Sequence, residues 1–361
     1  MMPEQVLRQI QSDIWDVAGT GIGILETSHR GAYWDRRIAE CVASVRAAGR
    51  VPEDFEILFV QGGATMHFAL LPMNFCPPGT SADYLSTGVW ARKTLHEARA
   101  AHEAGFAGEA RCAFDGASCG YDHVPSAEEC AFNAEARFLH YCSNNTVYGT
   151  LFAEPPAAPS GVRIICDSGS EMFSRPIPWD RVDCVYACVQ KNLGVAGTVL
   201  VIMRKSFLET ARRDLPPILS YLEHAREGSR LNTPATFGIH VTGLMCDWLV
   251  SQGGSAEMWK RAQERSGAVY AAIDSSDGFY RGLAKQCCCS HLNPVFFLPT
   301  DDLHKTFLGE ATLAGLVGLA GHRETGGVRA SMYNPFPVAG AHRLAEFMRS
   351  FARANAPLGA R

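Results

Sequence analysis

Residues 182–203 read VDCVYACVQKNLGVAGTVLVIM. Two apolar runs, 182–189 and 198–203, flank a polar link that carries Lys191, Gly194 and Gly197. Valine-rich runs of that length, bounded by Asn and Gly, read as buried strands. The same pattern recurs upstream. EILFV (56–60) stops at Gln61-Gly62-Gly63, and apolar positions at helical spacing follow from Thr65 to Leu71. RFLHYC (137–142) opens into Ser143-Asn144-Asn145-Thr146, and VRIIC (162–166) ends at Asp167-Ser168-Gly169. Short apolar strands separated by helix-like stretches predict an α/β fold with a mainly parallel sheet. In such sheets a ligand lies outside the carboxyl ends of the strands. Gly62, Thr146, Asp167 and Lys191 are therefore the first site candidates.

The chain has 361 residues, 47% apolar and 19% charged, enough for about two domains with large cores. After about residue 250 the pattern changes to a helix, a strand near 294–298, a helix from about 301, a turn (Gly321 to Gly327), a strand near 328–332 and an amphipathic helix over 339–354. This predicts a large domain over 1–250 and a smaller α+β domain over 251–361. A net charge of −4 argues against nucleic acid or an anionic membrane as partner, since both need a basic face. The 13 cysteines are odd in number and irregularly spaced, and the N-terminus lacks an apolar signal segment, so reduced thiols in the cytoplasm are expected. No run approaches the roughly 20 apolar residues of a membrane helix.

Residue types sharpen the site. Lys191, at the mouth of the sheet, offers an amine to a carbonyl carbon, although a lysine snorkelling from a strand end has the same sequence signature. Asp167 is a carboxylate that needs a cation or donor, which a pyridinium nitrogen would supply; it is equally a common turn or cap residue. Gln61-Gly62-Gly63-Ala64-Thr65 joins a strand to a helix whose free N–H groups suit a phosphate, or is a plain turn. Trp90 either covers a planar ring or belongs to the core, and Thr146 offers a hydroxyl from a strand-end turn. His29-Arg30, His322-Arg323 and Arg329 match a small substrate bearing carboxylate and phosphate, or are solvated surface charge. Cys287-Cys288-Cys289 lacks the spacing of a tetrahedral chelate, so no metal is expected.

The order of these segments resembles the phosphoserine aminotransferases, pyridoxal-phosphate enzymes of class V and fold type I. The matching stretches are ETSHRG (26–31), FVQGGATMHFALLPMNF (59–75), ADYLSTGVWARK (82–93), YCSNNTVYGT (141–150), DSGSEMFSRP (167–176), VYACVQKNLGVAG (185–197), LNTPATFGIH (231–240) and GHRETGGVRASMYN (321–334). The resemblance implies a seven-stranded, mainly parallel sheet in the large domain and pyridoxal 5'-phosphate as cofactor. It implies amino transfer from L-glutamate to 3-phosphohydroxypyruvate, giving O-phospho-L-serine and 2-oxoglutarate in serine biosynthesis. Lys191 then matches the lysine that bonds the cofactor, Asp167 the partner of the ring nitrogen, Trp90 the stacking residue and Thr146 the contact to the ring hydroxyl. Ala64, Thr65 and Gln190 match phosphate contacts. Asn232 and Thr233 match a pair reaching the phosphate from the neighbouring subunit, which implies a homodimer with shared sites. His29, Arg30, His322, Arg323 and Arg329 match substrate-anion binders; His322 and Arg323 are expected from the partner, and Arg329 on the α-carboxylate.

Two departures accompany the match. The family usually begins with a segment like N-F-S-x-G-P-A-x-L-P, whereas this chain opens at Met1-Met2-Pro3-Glu4, so a shortened arm is expected. The Cys287–Cys289 tract replaces a more polar stretch before Asn293. The alternatives are another class V reaction, such as serine–glyoxylate transamination or cysteine desulfuration, and an inactive cofactor-binding homologue.

Overall fold

A computed structural model describes residues 2–355. Its strands are β1 (Phe55–Gln61), β2 (Ser81–Ser86), β3 (Glu109–Asp115), β4 (Phe138–Cys142), β5 (Asn144–Asn145), β6 (Thr150–Leu151), β7 (Arg163–Asp167), β8 (Cys184–Cys188), β9 (Thr198–Arg204), β10 (Arg281–Gly282), β11 (Val295–Phe297), β12 (Ala320–His322) and β13 (Gly326–Arg329). The helices are α1 (Glu4–Trp15), α2 (Ala32–Gly49), α3 (Gly63–Phe75), α4 (Val89–Glu103), α5 (Lys205–Leu208), α6 (Tyr221–Arg226), α7 (Thr236–Ser251), α8 (Gly254–Asp274), α9 (Asp301–Leu313) and α10 (Val338–Asn355).

Seven strands form one sheet in the order β1-β9-β8-β7-β4-β2-β3. β3, β2, β4, β7 and β8 pair in parallel, and β9 runs antiparallel to both its neighbours, β8 and β1. Alternation along β8 explains why its sequence is apolar throughout. Val185 and Ala187 face the core under α2 and α7, while Cys184, Tyr186 and Cys188 face the core under α3, α4 and α6. A sheet buried on both faces leaves no polar phase to its strands. The polar residues are pushed past the strand ends, where the candidate site lies.

The second sheet, β10-β11-β13-β12, is antiparallel throughout and packs with α8, α9 and α10 around Val269, Phe296, Phe307, Val328, Leu344 and Phe351. Here the structure corrects the expected boundaries. The turn read over Gly321 to Gly327 is a hairpin, with His322 ending β12, and the strand read near 328–332 lies at Gly326–Arg329. β2 and β3 complete the large sheet's far edge.

Candidate functional site

Lys191 follows β8 and stands half-buried with its Nζ 5.6 Å from the centre of the Trp90 ring. Trp90 is placed by α4, whose first residue follows Gly88. A Cβ on Gly88 would come within 2.7 Å of the Asn145 side chain, so glycine is what allows the start of α4 to lie this close to the turn after β4. A recess lined by Ala64, Phe68, Trp90, Asp167, Gln190 and Lys191 opens between them.

Asp167 ends β7 and is 8% exposed. Its Oδ1 accepts the Gly169 N–H at 2.8 Å, and among the described residues its Oδ2 accepts only the Cys142 thiol, at 3.6 Å. Burial raises its pKa, opposed by the Gly169 hydrogen bond and by the charge of Lys191. A buried carboxylate oxygen held by nothing stronger than a thiol is an acceptor lacking a good donor. A protonated ring nitrogen fits that place.

The loop Gln61-Gly62-Gly63 turns from β1 into α3 with Gly62 at φ 105° and Gly63 at φ 67°, a left-handed pair that glycine adopts without strain. No side chain caps α3, so its first N–H groups are free for an anion, beside Ala64 and the exposed Thr65. Asn232 Nδ2 donates to Gln61 Oε1 at 2.9 Å, and Gln61 Nε2 donates to the Thr233 carbonyl at 3.0 Å. Within one chain, Asn232 and Thr233 therefore stand exposed beside the strand end of their own β1. Gln190 is exposed next to Lys191.

Thr146 is buried, and Arg329, on β13, donates to its carbonyl at 3.3 Å. That bond brings one anion binder of the small sheet onto the turn after β4. His322 and Arg323 lie at the tip of the β12–β13 hairpin, with Arg323 exposed. Glu324 holds the tip: its Oε1 accepts Arg92 Nη2 at 2.7 Å and the Tyr148 hydroxyl at 2.9 Å. His29 and Arg30 pair with each other on the loop before α2, Arg30 Nε donating to His29 Nε2 at 3.3 Å.

One part of the site escaped the sequence reading. Asn144 donates to Ser170 Oγ (2.8 Å) and Asn293 Oδ1 (2.9 Å), and accepts from Ser290 Oγ (2.5 Å). Asn192, next to Lys191, donates to the Ser170 carbonyl at 2.8 Å and accepts the Asn334 N–H at 3.0 Å. Asn293 donates to Ser331 Oγ at 2.9 Å. All but Ser331 are buried, and the network bolts the Lys191 turn to the small sheet's flank. Its sequence traces are Asn144 and Asn192, which also read as turn residues, and Asn293, noted only as following the cysteine tract.

Cys287, Cys288 and Cys289 line a different crevice of about 780 Å³, with Arg175, Trp259 and His291, on the other side of β4, β7 and β8. All 13 cysteines are free.

Comparison with known proteins follows the same lines. The aminotransferase class-V family matches residues 1–344. A phosphoserine aminotransferase of Herpetosiphon aurantiacus is 40% identical, over 98% of this chain and 96% of its own. The crystal structure of phosphoserine aminotransferase from Bacillus circulans subsp. alkalophilus superposes with a TM-score of 0.92 at 35% identity, covering 98% of this chain and 96% of that one. A PLP-bound phosphoserine aminotransferase from Trichomonas vaginalis gives 0.90 at 31% identity over 97% of each chain.

Proposed function

The chain belongs to the class-V aminotransferases, and on that premise we propose that it transfers the amino group of L-glutamate to 3-phosphohydroxypyruvate. The products are O-phospho-L-serine and 2-oxoglutarate, and the reaction serves L-serine biosynthesis. Its cofactor is pyridoxal 5'-phosphate. The observation that supports this most is the juxtaposition of Lys191 Nζ, the Trp90 ring 5.6 Å away and the under-hydrogen-bonded, buried Asp167.

When bound, pyridoxal phosphate supplies an aldehyde that bonds amines and a ring that draws electrons from the α-carbon. Everything else falls to this chain's residues. In the proposal Lys191 Nζ would hold the cofactor at its aldehyde while no amino donor is bound. The freed Nζ then takes the α-proton of glutamate and, in the second half, delivers a proton to the α-carbon of the phosphorylated acid. Asp167 Oδ2 would keep a proton on the ring nitrogen, Trp90 would cover the ring, and Thr146 would serve its hydroxyl. The free N–H groups of α3, with Ala64, Thr65 and Gln190, take the phosphate.

Arg329 grips the substrate carboxylate, while His29, Arg30, His322 and Arg323 receive the substrate's phosphate and remaining charge. The same proposal includes a homodimer in which Asn232, Thr233, His322 and Arg323 serve the neighbouring site. It also includes the division at residue 250 and a cytoplasmic location. Among the described residues no helix is long and apolar enough to cross a membrane.

Desulfuration requires a nucleophilic cysteine that reaches the substrate. The exposed Cys287 lies in the other crevice, and Cys142, which lines the recess, has its thiol pushed well above the ordinary range by burial and by Asp167. The test is the absorption spectrum of the purified protein. A cofactor band that bleaches with glutamate and returns with 3-phosphohydroxypyruvate is expected. A band indifferent to both overturns the reading.

A further inference from the structure

We propose that Cys119, Asp122 and His123 form a binding site for a thiophilic divalent cation of the zinc type. One donor atom from each of the three lies within 4.8 Å of the others. The sequence alone gave no reason to join them, because the backbone makes the site. A 3₁₀ turn over Gly116–Cys119 is followed by Gly120 at φ 63° and Tyr121 at φ 58°. Two successive left-handed residues fold the chain back, so that Asp122 and His123 return to the Cys119 side.

The surroundings are those of a metal-ligating imidazole. His123 Nε2 donates to Glu129 Oε1 at 3.0 Å. Glu129 is itself fixed, its other oxygen accepting the Ser126 N–H at 2.8 Å. A carboxylate on the far nitrogen fixes the ring's orientation and makes the near nitrogen a better ligand. That near nitrogen, Nδ1, lies 2.6 Å from Asp122 Oδ1. Among the described residues the Cys119 thiol has one weak tie, to the Gly116 carbonyl at 3.2 Å.

A second observation shows that the spot attracts positive charge. The ammonium of Lys285 sits 3.1 Å from His123 Nδ1 and 3.5 Å from Asp122 Oδ1. It arrives from another segment, whose backbone N–H at Lys285 donates to the Asp122 carbonyl at 2.7 Å. Sulfur, imidazole and carboxylate together suit zinc better than magnesium or calcium, which take oxygen ligands. On binding, the Cys119 thiol and His123 Nδ1 each release a proton to solvent. Lys285, half-exposed on a flexible stem, swings out as its charge is replaced.

The experiment is calorimetric titration of the holoenzyme with zinc chloride in buffer free of chelators. One ion per chain is expected. Cys119→Ser and His123→Gln should each weaken it at least tenfold, and Glu129→Gln by about tenfold, in the range of orienting carboxylates. Lys285→Met should tighten it, because a competing cation has gone. Circular dichroism establishes that each variant is folded. Absence of stoichiometric binding overturns the proposal. So does binding untouched by Cys119→Ser and His123→Gln, or binding lost only when Cys287, Cys288 and Cys289 are all changed to serine. Lys285→Met binding zinc more weakly also overturns it.

Discussion

The floor of the site and its rim are built from different material. Asp167, Thr146, Asn144 and Asn192 are buried at or just past strand ends; backbone and asparagine hydrogen bonds hold Asp167, Asn144 and Asn192, and Arg329 donates to the Thr146 carbonyl. Arg30, Arg323, Asn232 and Thr233 stand in solvent on loops and a hairpin tip, the last three proposed to complete the neighbouring subunit's site. A buried dipole or charge is oriented before the substrate arrives and acts in a poorly screened medium, at a desolvation cost. An exposed arginine bears no such cost and is screened until a substrate anion covers it. Floor residues should therefore govern the chemical step, and rim residues the capture of substrate.

Lys191→Ala tests the floor hardest. It removes the group proposed to move the proton, and kcat should fall roughly 10³-fold or more. A variant that kept wild-type turnover and the cofactor band would abolish the distinction between floor and rim. Asp167→Asn comes next. It keeps the shape and removes the charge, and kcat should drop roughly 10²- to 10³-fold, as for other lost preorganised electrostatic contacts.

Asp167 also yields a stability prediction of opposite sign. Its pKa in the folded, cofactor-free chain is raised by burial, against the Gly169 hydrogen bond and Lys191. Ionised Asp167 is thus disfavoured in the fold relative to the unfolded chain. The penalty is absent below the unfolded carboxyl pKa, grows as pH rises towards the folded pKa and is constant above it. At neutral pH the cofactor-free Asp167→Asn protein should therefore melt higher than wild type, by about 2 °C. A lower melting temperature, measured by calorimetry without cofactor, would show that the carboxylate is not strained by its site.

The same contrast explains what the sequence could and could not tell. Strands buried on both faces leave an unbroken apolar signature, so β1, β4, β7, β8 and β9 were legible, and with them the positions of Lys191, Asp167 and Thr146 just beyond. β2 (SADYLS) was not, because Asp83 sits inside it, 1% exposed and taking the Asn133 N–H at 2.6 Å. A charge in mid-strand breaks the pattern that identifies a strand. The asparagine network was hidden for another reason. Asn144 and Asn293 are 149 residues apart, and nothing local announces their hydrogen bond. Arginines of the rim were readable as residue types and through the family resemblance of their segments, not from periodicity, since exposed loops have none.

Arg323→Ala should act on capture. Losing a charged hydrogen-bonding partner costs about 1.5–3 kcal/mol, so KM for 3-phosphohydroxypyruvate should rise roughly 10- to 100-fold. KM for glutamate and kcat should change far less. Equal losses for both substrates would remove Arg323 from the phosphate and leave the rim without its proposed task.

The smallest effect belongs to Glu324, which ties the hairpin tip, proposed to serve the neighbouring site, to α4 of its own chain. Its carboxylate holds the hairpin tip against Arg92 and Tyr148, and Arg92 is two residues from Trp90, the residue proposed to cover the cofactor ring. Burial pushes its pKa up, but the Arg92 and Tyr148 hydrogen bonds outweigh it and hold the group below its ordinary value. The tie is therefore complete above the ordinary glutamate pKa and is lost as pH falls through the lowered one. Near neutrality it is constant. The side chains of Arg92 and Glu324 are 48% and 31% exposed, and such pairs contribute about 0.2–1 kcal/mol. Glu324→Gln should raise KM for the phosphorylated substrate about two- to fivefold and leave kcat alone. Arg92→Gln should do the same, and the double variant should be no worse than either, because both remove one interaction. Additive losses would mean that Arg92 and Glu324 act separately. A fall in kcat in Glu324→Gln would mean that the tip's position reaches the floor, so that rim and floor work as one unit.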